Sequence, residues 1–151
     1  MRRWIIANLS TLAAVGLTAS ASLAQPAEVV ELPLNGFYCA GADEATSCKK
    51  MISRLEADNR KAWKGDYQGQ RNVAFCLSDG CGNMVLPNRS LGCAWRIVII
   101  ASGSPKVDTT DIGNLKVYCG KLDAAERSAA QAQAATLFRT IYKREIGPVA
   151  W

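Results

Sequence analysis

The sequence predicts an all-α fold, a short stack of about five helices stapled by disulfides. Apolar residues recur at helical spacing between capping side chains and closing glycines. No long run alternates as a strand would. Six cysteines, an even number, all follow a leader-like beginning.

That beginning, residues 1–24, reads as a signal peptide. Met1-Arg2-Arg3 is basic, Trp4 to Leu17 is mostly apolar, and Ser22-Leu23-Ala24 offers the small residues that signal peptidase needs before Gln25. Asn8, Ser10 and Thr11 interrupt the apolar segment, which falls short of the roughly 20 residues a membrane span requires. The expected location is therefore periplasmic or secreted, with no membrane insertion after cleavage. Residues 25–41, with Pro26 and Pro33, read as an extended arm. The helical domain is expected over 42–146, followed by a tail at 147–151.

Ala45 to about Trp63 has the pattern of a charged amphipathic helix with Met51, Ile52 and Leu55 near one face. Lys49, Lys50, Arg54, Arg60, Lys61 and Lys64 form its solvated side, with Glu56 and Asp58 interspersed. Gly65-Asp66 then makes a turn and an N-cap for a run containing Val73, Ala74 and Leu77, closed by Gly80. Asn88 caps a further helix through Leu91, Trp95, Val98 and Ile99 to Gly103. Small residues at Gly69 and Ala74 let a second helix approach closely, so this segment reads as a helical hairpin.

The hairpin, Gly65 to Gly103, resembles a Sel-one-like repeat, a relative of the tetratricopeptide (TPR) repeat. The family's first helix reads AQ-x-x-LG-x-x-Y-x-x-G, and its second carries D-x-x-x-A-x-x-W. Gly69-Gln70 stands at AQ, Val73-Ala74 at LG, Leu77 at the Tyr and Gly80 at the closing Gly. Asn88 stands at the Asp, Gly92 at the Ala and Trp95 at the Trp. The Tyr is thus absent, and the connector is slightly longer than usual. The resemblance implies a TPR-like superhelical stack in which Gly69, Val73, Ala74, Leu77, Gly80, Gly92, Trp95 and Gly103 are packing positions. It also implies that the fold serves protein–protein contact without catalytic residues.

After the breaker Ser102-Gly103-Ser104-Pro105, Asp108 to Asp111 opens a short helix carrying Ile112, Leu115 and Val117 and ending near Gly120. Asp123 and Glu126 form a capping box for the last helix, whose stripe is Ala130, Ala134, Leu137, Phe138, Ile141 and Tyr142. Gly147-Pro148 is expected to end it. These two helices read as a degraded second repeat, Asn114-Leu115 echoing Asn72-Val73.

Six cysteines permit fifteen connectivities. The order of the helices favours neighbours: Cys93 with Cys119, Cys76 with Cys81, and Cys39 with Cys48. Structural zinc wants paired ligands at short spacing, often with His, and the chain has no His and only Cys76-x4-Cys81. No metal and no cofactor are expected. Without Arg2 and Arg3 the chain carries 16 basic and 13 acidic side chains, a net of +3, too mild to argue for nucleic acid.

The lack of His also removes the common general base and the Ser–His and Cys–His nucleophile systems. Paired carboxylates among Asp108, Asp111, Asp123 and Glu126 leave an alternative, a small cell-envelope hydrolase. Helix capping accounts for the same four residues. The favoured reading is a monomeric, non-catalytic module that binds an unidentified protein in the envelope. Its groove would lie along the first helix of each pair, with Gln68, Arg71 and Lys116 as contributors.

Overall fold

The computed structural model describes residues 42–83 and 85–149. The expected signal peptide, the expected arm with Cys39, and the last two residues lie outside them. Among the described residues the fold is all-helical, with five helices: α1 (Ala42–Ala62), α2 (Tyr67–Asn83), α3 (Arg89–Ala101), α4 (Thr109–Cys119) and α5 (Ala124–Tyr142).

Local chemistry sets most of the boundaries. The Asp66 carboxylate accepts from the backbone N–H of Gly69 at 2.7 Å, and the Asn88 side chain accepts from Leu91 at 3.0 Å. Asp108 with Asp111, and Asp123 with Glu126, form reciprocal capping boxes on α4 and α5. Each satisfies amide donors that the first helical turn leaves without partners. At the end of α2, Gly80, Cys81 and Gly82 take φ values of 76°, 47° and 68°. This left-handed turn stops the right-handed helix. Cys81, the one residue there with a side chain, is held in place by its disulfide to Cys76, with Cα atoms 4.5 Å apart.

α3 is the hub. Every residue from Leu91 to Ile99 is buried, the pattern of a helix surrounded on all sides. It packs against α2, α4 and α5, while α1 packs against α2. Trp95, 2 % exposed, meets Trp63 edge-to-face with ring centroids 5.6 Å apart. This geometry suits the ring quadrupoles. Two of the closest helix approaches run over glycine. A Cβ added at Gly69 would lie 2.7 Å from the Asp58 carbonyl oxygen and 2.8 Å from the Ala62 nitrogen; one at Gly92 would lie 2.7 Å from Ser78 Oγ. Gly69 therefore sets the α1–α2 spacing, and Gly92 the α2–α3 spacing. Beside Gly69, Gln70 is buried and donates from Nε2 to the Ala62 carbonyl at 3.3 Å and to the Tyr142 hydroxyl at 3.1 Å. It thus ties α2 to α5.

Cys93 on α3 is bonded to Cys119 at the end of α4, with Cα atoms 5.2 Å apart. Cys48 on α1 is buried and disulfide-bonded, and its expected partner Cys39 lies outside the described residues. The five basic residues of α1, and Lys64 just beyond its end, are all exposed, as a solvated face requires, whereas Asp58 is buried.

Several expectations need correction. α1 begins at Ala42, three residues earlier than the sequence pattern indicates, and Met51 is 40 % exposed where a core position was expected. On α4 only Leu115 of the three expected apolar residues is buried; Ile112 and Val117 are 44 % and 52 % exposed. The buried face is instead Asp111, Leu115 and Cys119, four residues apart in turn, because an ion pair and a disulfide orient the helix. α5 stops at Tyr142, before Gly147-Pro148. Lys143 adopts φ 56°, and the chain turns back so that Ile146 and Val149 pack on the core. Gly103 is no packing position: it is exposed with open space where a Cβ would go, and its φ of 73° ends the α3 segment. Finally, the extensive contact of α5 is with α3 rather than with α4 in a second hairpin.

Candidate binding groove

The face of α2 opposite the core carries Gln68, Arg71, Asn72 and Phe75, spaced so that they form one continuous row. α4 presents Asn114 and Tyr118 across from this row, and Arg96 of α3 forms part of the lining. Together they line a polar groove of about 410 Å³.

A buried carboxylate outside the lining anchors Arg71. Asp111, 4 % exposed, accepts the Tyr67 hydroxyl at 2.6 Å, pairs with Arg71 Nε at 3.1 Å and accepts the Asp108 backbone N–H at 3.2 Å. Arg71 also donates to the Tyr67 hydroxyl at 3.2 Å. Partial burial and the hydrogen bond to the charged Asp111 push the Tyr67 hydroxyl up to about 12. The Asp111 backbone N–H donates to Asp108 and draws that carboxyl below its ordinary range.

Tyr118 is held in the lining by contacts from α2 and α3. Its hydroxyl donates to Asp79 at 2.7 Å, and this hydrogen bond is the main reason its ionisation is raised. The Arg96 guanidinium lies over its ring, 4.0 Å from the centroid, in cation–π contact. Arg96 is 6 % exposed, and burial lowers its pKa. Its one hydrogen bond among the described residues is from a terminal nitrogen to Ser78 Oγ at 3.4 Å, and its buried Nε has no partner.

A second, apolar hollow of about 360 Å³ adjoins the groove. Met51 and Leu55 of α1, Phe75 of α2 and the Cys76–Cys81 disulfide supply most of its wall. Asn72 and Phe75 line both spaces. Phe75 is 49 % exposed, so an aromatic ring stands on the ridge between a cationic and an apolar compartment.

Of the residues that the sequence singled out, Gln68 and Arg71 line the groove. Lys116 is exposed but is not among the lining side chains. Gly69, Val73, Ala74, Leu77, Gly80, Gly92 and Trp95 are buried in the scaffold. Phe75, Arg96 and Tyr118 escaped the sequence reading, and Asn72 and Asn114 entered it only as corresponding repeat positions. Arg96 alone had a signal: it is the one charge within Leu91–Ala101, an otherwise apolar run. The four carboxylates of the hydrolase alternative each accept a backbone N–H at a helix start. Among the described residues no group of three or more side chains is arranged to hold a metal ion. No protein-family model, curated protein or solved structure matches the chain.

Proposed function

We propose that the protein is an exported, non-catalytic protein–protein interaction module on a Sel-one-like scaffold, and that the groove between α2 and α4 is its contact surface. The observation that carries this reading is the continuous row Gln68, Arg71, Asn72 and Phe75. It places hydrogen-bonding, cationic and aromatic side chains on one helix face beside two open spaces. Aromatic and Arg side chains are enriched at interaction hot spots. The close approaches over Gly69 and Gly92 and the buried Gln70 support the Sel-one-like assignment, because these residues stand at motif positions. Two disulfides support an oxidising compartment, periplasmic or extracellular. Among the described residues no helix is long and apolar enough to cross a membrane.

The test is affinity capture from the native envelope with the exported protein as bait. A specific protein should be retained by the wild type and by an Asp108→Asn/Glu126→Gln variant, and lost with Phe75→Ala. Hydrolysis of wall glycan abolished by Asp108→Asn/Glu126→Gln would overturn the reading in favour of the carboxylate hydrolase.

A further inference from the structure

One cation beside the groove lacks a direct ion pair. Asp111 is engaged by Arg71 and Tyr67, Asp79 by the Tyr118 hydroxyl, and Asp58 by Asn72 Nδ2 at 2.7 Å. Each nearby carboxylate thus has a hydrogen-bond or ion-pair partner already, and none lies in direct ion-pair contact with Arg96. The Arg96 guanidinium forms no ion pair among the described residues, although its side chain is more than nine-tenths buried and lines the groove. A desolvated guanidinium is stabilised when a planar oxyanion satisfies its fork of N–H donors. Its stacking on Tyr118 fixes the orientation of that fork in advance, which reduces the ordering cost of binding. Burial also lowers its pKa, outweighing the opposing pull of Asp79 and Asp111 nearby.

Chemistry on either side narrows the ligand further. Gln68, Asn72 and Asn114 bring amide groups, which match the donors and acceptors of peptide bonds. Beyond Phe75 the apolar hollow with Met51 and Leu55 has room for an aliphatic side chain. Resting on the interaction reading above, we infer that the groove binds an extended peptide segment of the partner that carries an acidic side chain next to an aliphatic one. The carboxylate pairs with Arg96, and the aliphatic side chain enters the hollow past Phe75. Charge complementarity, not the apolar wall alone, selects this occupant.

The experiment uses the disulfide-bonded exported protein and a fluorescein-labelled, N-acetylated and C-amidated hexapeptide with glutamate next to leucine among Gly and Ser. Fluorescence anisotropy should show saturable binding that weakens as salt rises. Replacing the glutamate by glutamine, or the leucine by glycine, should weaken binding about tenfold or more. So should Phe75→Ala and Asn114→Ala, which change partly exposed side chains and leave the core intact. Arg96→Gln should abolish the distinction between the glutamate and glutamine peptides. Circular dichroism reports whether that variant folds, and Phe75→Ala and Asn114→Ala keep the inference testable if it does not. Equal affinity of the wild type for the two peptides would overturn the inference, as would absence of saturable binding. Octanoate binding as tightly as the peptide would overturn it too, by assigning the site to a small amphipathic acid. Envelope capture that is lost with Phe75→Ala but survives Arg96→Gln removes this ligand assignment and leaves the interaction reading. Peptide binding with no captured protein does the reverse.

Discussion

Replacing Gly69 by Ala and Gly113 by Ala makes the same chemical change in two helices and should move stability in opposite directions. At Gly69 the new Cβ would meet the Asp58 carbonyl oxygen at 2.7 Å, the Ala62 nitrogen at 2.8 Å and Lys61 Cβ at 2.9 Å. Two of these are backbone atoms of α1, so no flexible side chain can swing away and the helices must separate. Overpacking of this kind costs about 1–3 kcal/mol, and the higher helix propensity of Ala offsets about 1 kcal/mol of it. With three contacts under 3.0 Å the cost belongs in the upper part of that range, leaving a net loss of about 1–2 kcal/mol. Gly113 lies within exposed α4 with nothing inside 4 Å of a new Cβ, so only propensity acts and Ala should gain about 0.5–1 kcal/mol. Urea unfolding followed by far-UV circular dichroism reads the difference, provided the slope with denaturant stays constant. A Gly69→Ala midpoint at or above the wild type would refute the claim that Gly69 sets the α1–α2 spacing.

Three further outcomes are expected. Cys93→Ala/Cys119→Ala frees a loop with a sequence separation of 26, against 5 for Cys76→Ala/Cys81→Ala. Loop-closure entropy then predicts losses of about 3.5 and about 2 kcal/mol, and a reversed order in thermal unfolding would contradict it. Trp95→Ala, which removes a side chain 2 % exposed, should cost about 3–5 kcal/mol by denaturant titration; a loss under about 1 kcal/mol would take Trp95 out of the core. For Tyr67, the native state holds a proton up to about 12 that an unfolded tyrosine releases near 10. Its contribution is therefore complete below pH ~10 and is lost as pH rises from there towards ~12. Tyr67→Phe should flatten that part of the stability–pH curve, and an unchanged slope would sink the assignment.

The helix starts were legible because capping is local chemistry. Asp66, Asn88, Asp108 and Asp123 each satisfy amides within three residues, so a short window of sequence contains both donor and acceptor. Burial on α4 was not legible, since its orientation depends on Arg71 and Cys93, both distant in the chain. Hydropathy alone points Ile112 and Val117 inward, while a long-range ion pair and a disulfide turn Asp111 and Cys119 inward instead. The end of α5 was obscured for a related reason: Lys143 accepts a left-handed conformation once Ile146 and Val149 pack against the core. In the groove, Gln68 and Arg71 belong to a row that helical spacing reveals. Tyr118 and Asn114 join them only through tertiary placement of α4.

The position of α3 at the centre has a consequence for how the molecule comes apart. Helical arrays stacked along one axis fray from their ends, shedding units while the remainder persists. Here α2, α4 and α5 share one support, so loosening α3 removes the footing of all three at once. α1 is different, because its extensive packing is against α2. Amide exchange should therefore divide the described residues into a slow block centred on Leu91–Ile99 and a faster first helix. An excursion of α1 away from Gly69 withdraws Met51 and Leu55 from the hollow beside Phe75, while Arg96 keeps its place on the hub and Tyr118 its place on α4. Partial opening would thus widen the apolar compartment and free Asn72 from Asp58, while Arg96 stays seated on α3.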